Sequence, residues 1–170
     1  DHDGVFKLLE GFPGSEGDPD ANLILSHIYA RTGEQYKSDE HFRRGNELES
    51  ANIGVPGEQL HLANLWADHD INLAQALEIA EKEFTRQQDI ATADTLAWCL
   101  FKSGRIDEAK KLSDRAVRLN TNDAKLYYHA GMIQRSLGNK SAARGLLKKA
   151  LLLNPEFDLR QADAARTALG

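Results

Sequence analysis

The chain is predicted to be all-α, a right-handed solenoid of about four helical hairpins closed by a C-terminal helix. Three observations carry this. A 34-residue period runs through residues 90–157: Gly104 recurs as Gly138, Ala109 as Ala143, Leu112 as Leu146, Ala116 as Ala150, Leu119 as Leu153 and Asn120 as Asn154. Small and apolar residues in phase at that period mark a helix-turn-helix repeat. No alternating apolar-polar run survives over six residues, so no strand is expected. Finally, 170 residues suit one ordinary domain, at 41% hydrophobic and 28% charged residues.

In chain order, the run Val5-Phe6-Lys7-Leu8-Leu9 reads as the end of an incomplete helix or a cap. The glycines and prolines that follow read as a loop, so residues 1–19 form an N-terminal partial helix and loop. Asp20 can cap the next helix, in which Leu23, Ile24, Ile28 and Tyr29 keep helical spacing; Gly33 closes it. Residues 35–49 turn back with Tyr36, Phe42 and Leu48 inward, and residues 52–57 are a loop by composition. The next hairpin spans 58–68 and 73–86, with a turn at His69-Asp70. The clear pair follows, 90–103 with 106–119 and 124–137 with 141–153. Pro155 stops the last of these helices. Residues 158–169 read as a terminal helix with a polar outer face, as a solenoid cap needs. The expected division is therefore 1–19, hairpins at 20–51, 58–88, 90–123 and 124–157, and a cap at 158–170.

Ala97, Ala109, Ala116, Gly131, Ala143 and Ala150 let helix backbones approach closely. Leu96, Leu100, Leu112, Val117, Leu119, Leu146, Leu147 and Leu151 fill the space around them. One hairpin cannot bury both its faces, so neighbours must stack.

These residues resemble a tetratricopeptide repeat. The likeness rests on Leu96-Ala97-Trp98, Gly104-Arg105-Ile106-Asp107-Glu108-Ala109 and Ala116-Val117. In the next unit it rests on Tyr127, Gly131, Gly138, Ala143, Leu147, Ala150-Leu151 and Asn154-Pro155. Residues 22–50 are similar through Leu25, Tyr29, Gly33 and Phe42, but carry Ser38 and Gly45 where the family prefers alanine. Residues 59–89 are similar through Trp66, Ala76 and Ala80, but lack the turn glycine and carry Glu83 at another alanine position. The resemblance implies a non-catalytic protein-interaction scaffold whose first helices line a concave groove.

Carried over by helical phase, the groove-lining residues are His27 and Arg31; His61, Asn64 and Asp68; Asp94, Thr95, Trp98, Phe101 and Lys102; and Lys125, Tyr128, His129, Met132 and Arg135. Trp98, Phe101, Tyr128 and Met132 make an apolar cluster beside Lys102 and Arg135. Aromatic anchors next to arginine are typical of binding hot spots. They suit an extended or helical peptide with apolar side chains and some acidic character. Alternatively, the C-terminal helix folds back over these residues, or they pack inside the superhelix. Leu23, His27, His61 or Leu62, and Asp94 stand where one subfamily carries a lysine, asparagine and arginine clamp for heat-shock chaperone tails, so that clamp is absent.

No phosphate-cradling glycine loop and no paired-histidine zinc motif is present, and no cofactor or catalytic residue is assigned. His27, His61 and His129 fall on separate repeats without ligand spacing, so no metal is assigned. Cys99, the one cysteine, reads as a packing residue. Lys110, Lys111, Arg115 and Arg118 recur in type as Lys140, Arg144, Lys148 and Lys149 on second helices. Without interleaved aromatics this outer ridge argues against nucleic acid. No apolar run approaches a membrane span. The chain begins at Asp1, which reads as processing or truncation and leaves the compartment open, cytoplasmic or exported. Net charge is −5, but residues 1–85 hold 17 acidic and 6 basic side chains, and residues 86–170 hold 9 and 15. Opposite charge on the halves allows head-to-tail self-association. A docking or regulatory arm of a larger enzyme is the remaining alternative.

Overall fold

A computed structural model describes residues 15–51 and 59–170. The expected N-terminal partial helix and the loop at 52–57 lie outside the described residues, apart from a 3-10 turn at Ser15–Gly17. Among the described residues every regular element is helical. The chain divides into two compact units, Asp1–Glu58 and Gln59–Gly170.

The first unit holds one hairpin, α1 (Pro19–Thr32) and α2 (Gln35–Ala51). The cap of α1 is Asp18, not Asp20. Its carboxylate accepts the Ala21 N–H at 2.9 Å, and Pro19 occupies the first helical position, where its fixed φ suits a helix start. The inward face of α2 also differs from expectation. Tyr36 is 81% exposed, and the buried residues are Ser38, Gly45 and Glu49. The two departures from the family's alanines are thus its small contact residues. Ser38 Oγ lies 3.4 Å from Ser26 Oγ, and a Cβ on Gly45 would sit 2.9 Å from Leu23 Cγ.

The second unit contains three hairpins and a terminal helix. These are α3 (Gln59–Asp68) with α4 (Leu73–Arg86), α5 (Ile90–Lys102) with α6 (Ile106–Val117), and α7 (Ala124–Ser136) with α8 (Lys140–Leu153), followed by α9 (Gln161–Leu169). Each hairpin packs on the next: α4 and α3 touch α5, α6 touches α7, and α9 lies on α8. Helix α5 is buried continuously from Thr92 to Leu100, because it has neighbours on both sides.

All four hairpins bend alike. After α5, Gly104 takes φ +80°, and the Arg105 N–H reaches the Leu100 carbonyl at 2.8 Å. After α7, Gly138 takes φ +79°, and the Asn139 N–H reaches Gln134 at 3.0 Å. After α1, Gly33 takes φ +84°, with Glu34 N–H on Tyr29 at 2.9 Å. The second hairpin keeps the bend without glycine. Asp70 takes φ +56°, and the Ile71 N–H reaches Trp66 at 3.0 Å. Aspartate enters the left-handed region more readily than most residues.

The contacts between helices rest on small side chains. Ala97, Ala109, Ala116 and Ala150 are wholly buried, and Ala143 nearly so. Glu83, at a position where the family prefers alanine, is buried and paired with Arg86 at 2.6 Å. Leu119 is 64% exposed rather than packed, because α6 ends at Val117. The terminal helix begins at Gln161, three residues later than expected. Residues 155–160 form turns instead, and Asp158 accepts the N–H groups of Arg160 and Gln161 at 2.9 and 2.8 Å.

Asp89 caps α5. Its carboxyl is held below its ordinary value of 3.8, first by the Thr92 backbone N–H at 2.9 Å, against burial, with the Thr92 hydroxyl and the Gln87 amide adding. Asp89→Ala is expected to lower stability by about 1 kcal/mol in denaturant melts. A carboxyl depressed in the folded state stabilises above its unfolded pKa. The difference between the two proteins should therefore be full at neutral pH and fade as pH falls through the depressed value.

Candidate functional site

Phase places the expected groove residues of the second unit on the first helices α3, α5 and α7, which follow one another at one repeat per step. Their centre is a closed polar and aromatic network. Asp68, at the end of α3, accepts the Trp98 indole N–H at 2.7 Å and the Gln161 amide at 2.6 Å on one oxygen. Its other oxygen faces the Lys125 ammonium at 2.9 Å. Burial pulls Lys125 downward. The charge of Asp68 and its hydrogen bond outweigh this, with Asp158 and Asp94 adding, and leave the ammonium held above its ordinary range.

Behind Trp98 lies His129, wholly buried, whose ring stacks on the indole at 4.1 Å between centroids. Its Nδ1 donates to Asp94 Oδ2 at 2.8 Å. Asn64 donates to the Thr95 hydroxyl at 2.8 Å. The Tyr128 ring packs against Trp98 at 5.8 Å and Phe157 at 5.6 Å. Burial first, then the charges of Asp68 and Asp158, push the Tyr128 hydroxyl up to about 12. Cys99 packs in the same layer, its thiol 3.8 Å from the Ala63 carbonyl. Burial, then Asp68 and Asp94, push it up to about 12, so it carries no thiolate at neutral pH.

Trp98, Tyr128, His129 and Asp94 are therefore interior residues, at most 6% exposed, and Asn64 is half-buried against Thr95. Lys102 stands over the Trp98 ring at 5.4 Å and pairs with Asp70 at 2.7 Å. His27 belongs to the first unit, half-buried on α1.

Three of the expected residues line an open pocket instead. Phe101 from α5 and Met132 and Arg135 from α7 meet Lys140, Arg144 and Leu147 of α8, with Ala168 and Leu169 of α9 as the far wall. The space is about 620 Å³. Its floor is apolar. Three cations stand around it, and no carboxylate is among its lining residues. Arg135 and Lys140 have no side-chain hydrogen bond or ion pair among the described residues, and Arg144 donates only to the Leu169 carbonyl at 3.3 Å. The sequence signal for Lys140 and Arg144 is their place on the basic second-helix ridge. Nothing local points to Ala168 and Leu169, which come from the next helix, Leu169 lying 25 residues beyond Arg144.

Stacked helical hairpins with equivalent left-handed bends and alanine contacts define a helical-repeat protein. Residues 94–123 and 124–157 each match the tetratricopeptide repeat family. The stretch 94–157 is thus a pair of tetratricopeptide repeats. Among solved structures, a MamA protein superposes with a TM-score of 0.50 at 17% identity, covering 89% of this chain and 84% of its own. A tetratricopeptide repeat protein from Parabacteroides merdae ATCC 43184 superposes with a TM-score of 0.50 at 16% identity, covering 89% of this chain and 58% of its own. Both are likenesses of fold. No curated protein is similar enough in sequence to count as a match.

Among the described residues no helix is long and apolar enough to cross a membrane.

Proposed function

We propose that the second unit is a non-catalytic docking module, and that it holds a segment of another protein against the pocket between α5, α7, α8 and α9. Tetratricopeptide repeats in general act as interaction modules, and the volume is enough to take a few side chains. One observation carries the reading. An apolar floor of Phe101, Met132, Leu147 and Leu169 is ringed by Arg135, Lys140 and Arg144, with no acid among the lining residues. Such a ring favours an occupant that brings apolar side chains and carboxylates together, and rejects a basic one.

The test uses fluorescein-labelled decapeptides that place leucine and phenylalanine among aspartate and glutamate, against controls with lysine in place of the acids. Acidic members should bind, and affinity should fall as salt rises. Arg135→Glu with Lys140→Glu should weaken binding about tenfold or more. Both side chains are exposed, so the helical circular-dichroism signal should stay unchanged. Equal binding of acidic and basic peptides, or binding that survives the double reversal, would rule the pocket out.

A further inference from the structure

The concave face formed by α3, α5 and α7 is covered by the chain's own C-terminal segment, and the way it is held resembles a bound peptide. Phe157 lays its ring on Tyr128 at 5.6 Å. Asp158 lies near enough to raise both Lys125 and Tyr128 by its charge. Arg160 donates to His69 Nδ1 at 2.8 Å, and Gln161 donates to Asp68 at 2.6 Å. Residues 155–160 are turns rather than helix. Arg166, held by Asp163 within α9, braces them from outside through Pro155 O and Glu156.

The seat is incompletely satisfied. Asn64 Oδ1, Asp94 Oδ1, His129 Nε2 and Gln161 Oε1 are buried without a hydrogen-bond partner among the described residues. With the His129 proton on Nδ1, where Asp94 accepts it, all four are acceptors, three on the covered face and one, Gln161 Oε1, on the covering segment itself. The covered face therefore has unused capacity for donors, while its cations Lys102 and Lys125 are already paired.

We infer that residues 157–161 act as an internal ligand, and that on their release the concave face of the second unit takes a segment of a partner protein with the same chemistry. That segment carries an aromatic anchor and, three to four residues later, cationic or amide donors. This goes beyond the pocket reading: it concerns a different face and a ligand rich in donors rather than acids. Asp68 is the recognition centre, through the bond that Gln161 now makes. Because Ala168 and Leu169 wall the neighbouring pocket, an occupant of that pocket holds α9 down and opposes release. The two ligands are thus negatively coupled, each weakening the other by the same factor.

The test uses the full chain and a fluorescein-labelled peptide of residues 154–162, Asn-Pro-Glu-Phe-Asp-Leu-Arg-Gln-Ala. Phe157→Ala with Gln161→Ala should bind it saturably, about tenfold or more tighter than the unaltered chain, whose site is filled. Asp68→Asn added to that variant removes the charge but keeps one acceptor, and should reduce the gain. A folded double variant that gains no binding, or an unaltered chain that binds equally well, overturns the inference. Hydrogen exchange of the unaltered chain decides the matter if the variant does not fold. Amides of 157–161 should open about a hundredfold or more readily than those of α5. Exchange of both in one step would make the segment ordinary core and sink the proposal. Neither arm reads Arg135, Lys140 or the acidic peptides, so either reading can fail alone.

Discussion

Asp68→Ala is expected to destabilise the second unit by about 2–4 kcal/mol, measured as a shift in the urea midpoint. Three donors from three elements end on this carboxylate: the Trp98 indole on α5, the Lys125 ammonium on α7 and the Gln161 amide on α9. Hydrogen bonds to a charged acceptor contribute about 1.5–3 kcal/mol each, and buried donors left behind add a desolvation penalty. The Lys125 pair contributes the smaller part, since that side chain is about one third exposed. Asp68→Asn keeps the shape and one acceptor, so it should lose about half as much. Lys125 is raised in the folded state, so its share is complete below its ordinary value of 10.5 and lost only as pH climbs through the raised one. The penalty of the alanine variant should therefore be flat from pH 6 to 9. A loss below about 0.5 kcal/mol would mean that Asp68 does not join these elements.

The second large effect is expected at Gly131. A Cβ built there would sit 2.7 Å from Leu147 Cγ and 3.3 Å from the Leu147 backbone nitrogen. Leu147 is 1% exposed, so its side chain has nowhere to move. Gly131→Val should cost about 3 kcal/mol or more, combining overpacking with a β-branched side chain in a crowded helix. Gly131→Ala gains about 1 kcal/mol of helix propensity and should still come out destabilising. Leu147→Ala alone should cost about 2–5 kcal/mol. Paired with Gly131→Ala the loss should be clearly less than additive, because the added methyl enters the space vacated. Gly145 is the control. It also lies within a helix, exposed, with nothing within 4 Å of its would-be Cβ, so Gly145→Ala should stabilise by about 0.5–1 kcal/mol. Thermal melts of these variants decide this; equal effects at Gly131 and Gly145 would mean that α7 and α8 are not in close contact.

The 34-residue period suffices to locate the bends at Gly104 and Gly138 and the alanine contacts beside them. Local chemistry marks these positions: only a residue tolerant of positive φ closes the turn, and only a small one lets two backbones meet. The same logic places a turn at His69-Asp70 but does not show that it repeats the glycine bends, because an aspartate that enters the left-handed region looks like any turn residue. It misreads Tyr36 and Leu119 as inward, since apolar character does not say which stripe of a helix a partner covers. At the candidate site, helical phase identifies which side chains share the concave face. It cannot say whether that face is open. The network that closes it depends on Gln161, 93 residues from Asp68 along the chain, and no local pattern links the two. Phe101, Met132 and Arg135 sit at the edge of the face, beyond that cover, and so line a pocket that α9 completes.

Both tryptophans, Trp66 and Trp98, are buried, at 5% and 3% exposure, and Trp98 sits beneath the segment that covers the concave face. Acrylamide quenching of intrinsic fluorescence in the native chain therefore measures directly whether that face is closed. A closed face predicts emission shifted to the blue and quenched several-fold less than in the urea-unfolded chain. Native emission in which one of the two tryptophans quenches as freely as the unfolded chain would show Trp98 open to solvent, and would contradict the account.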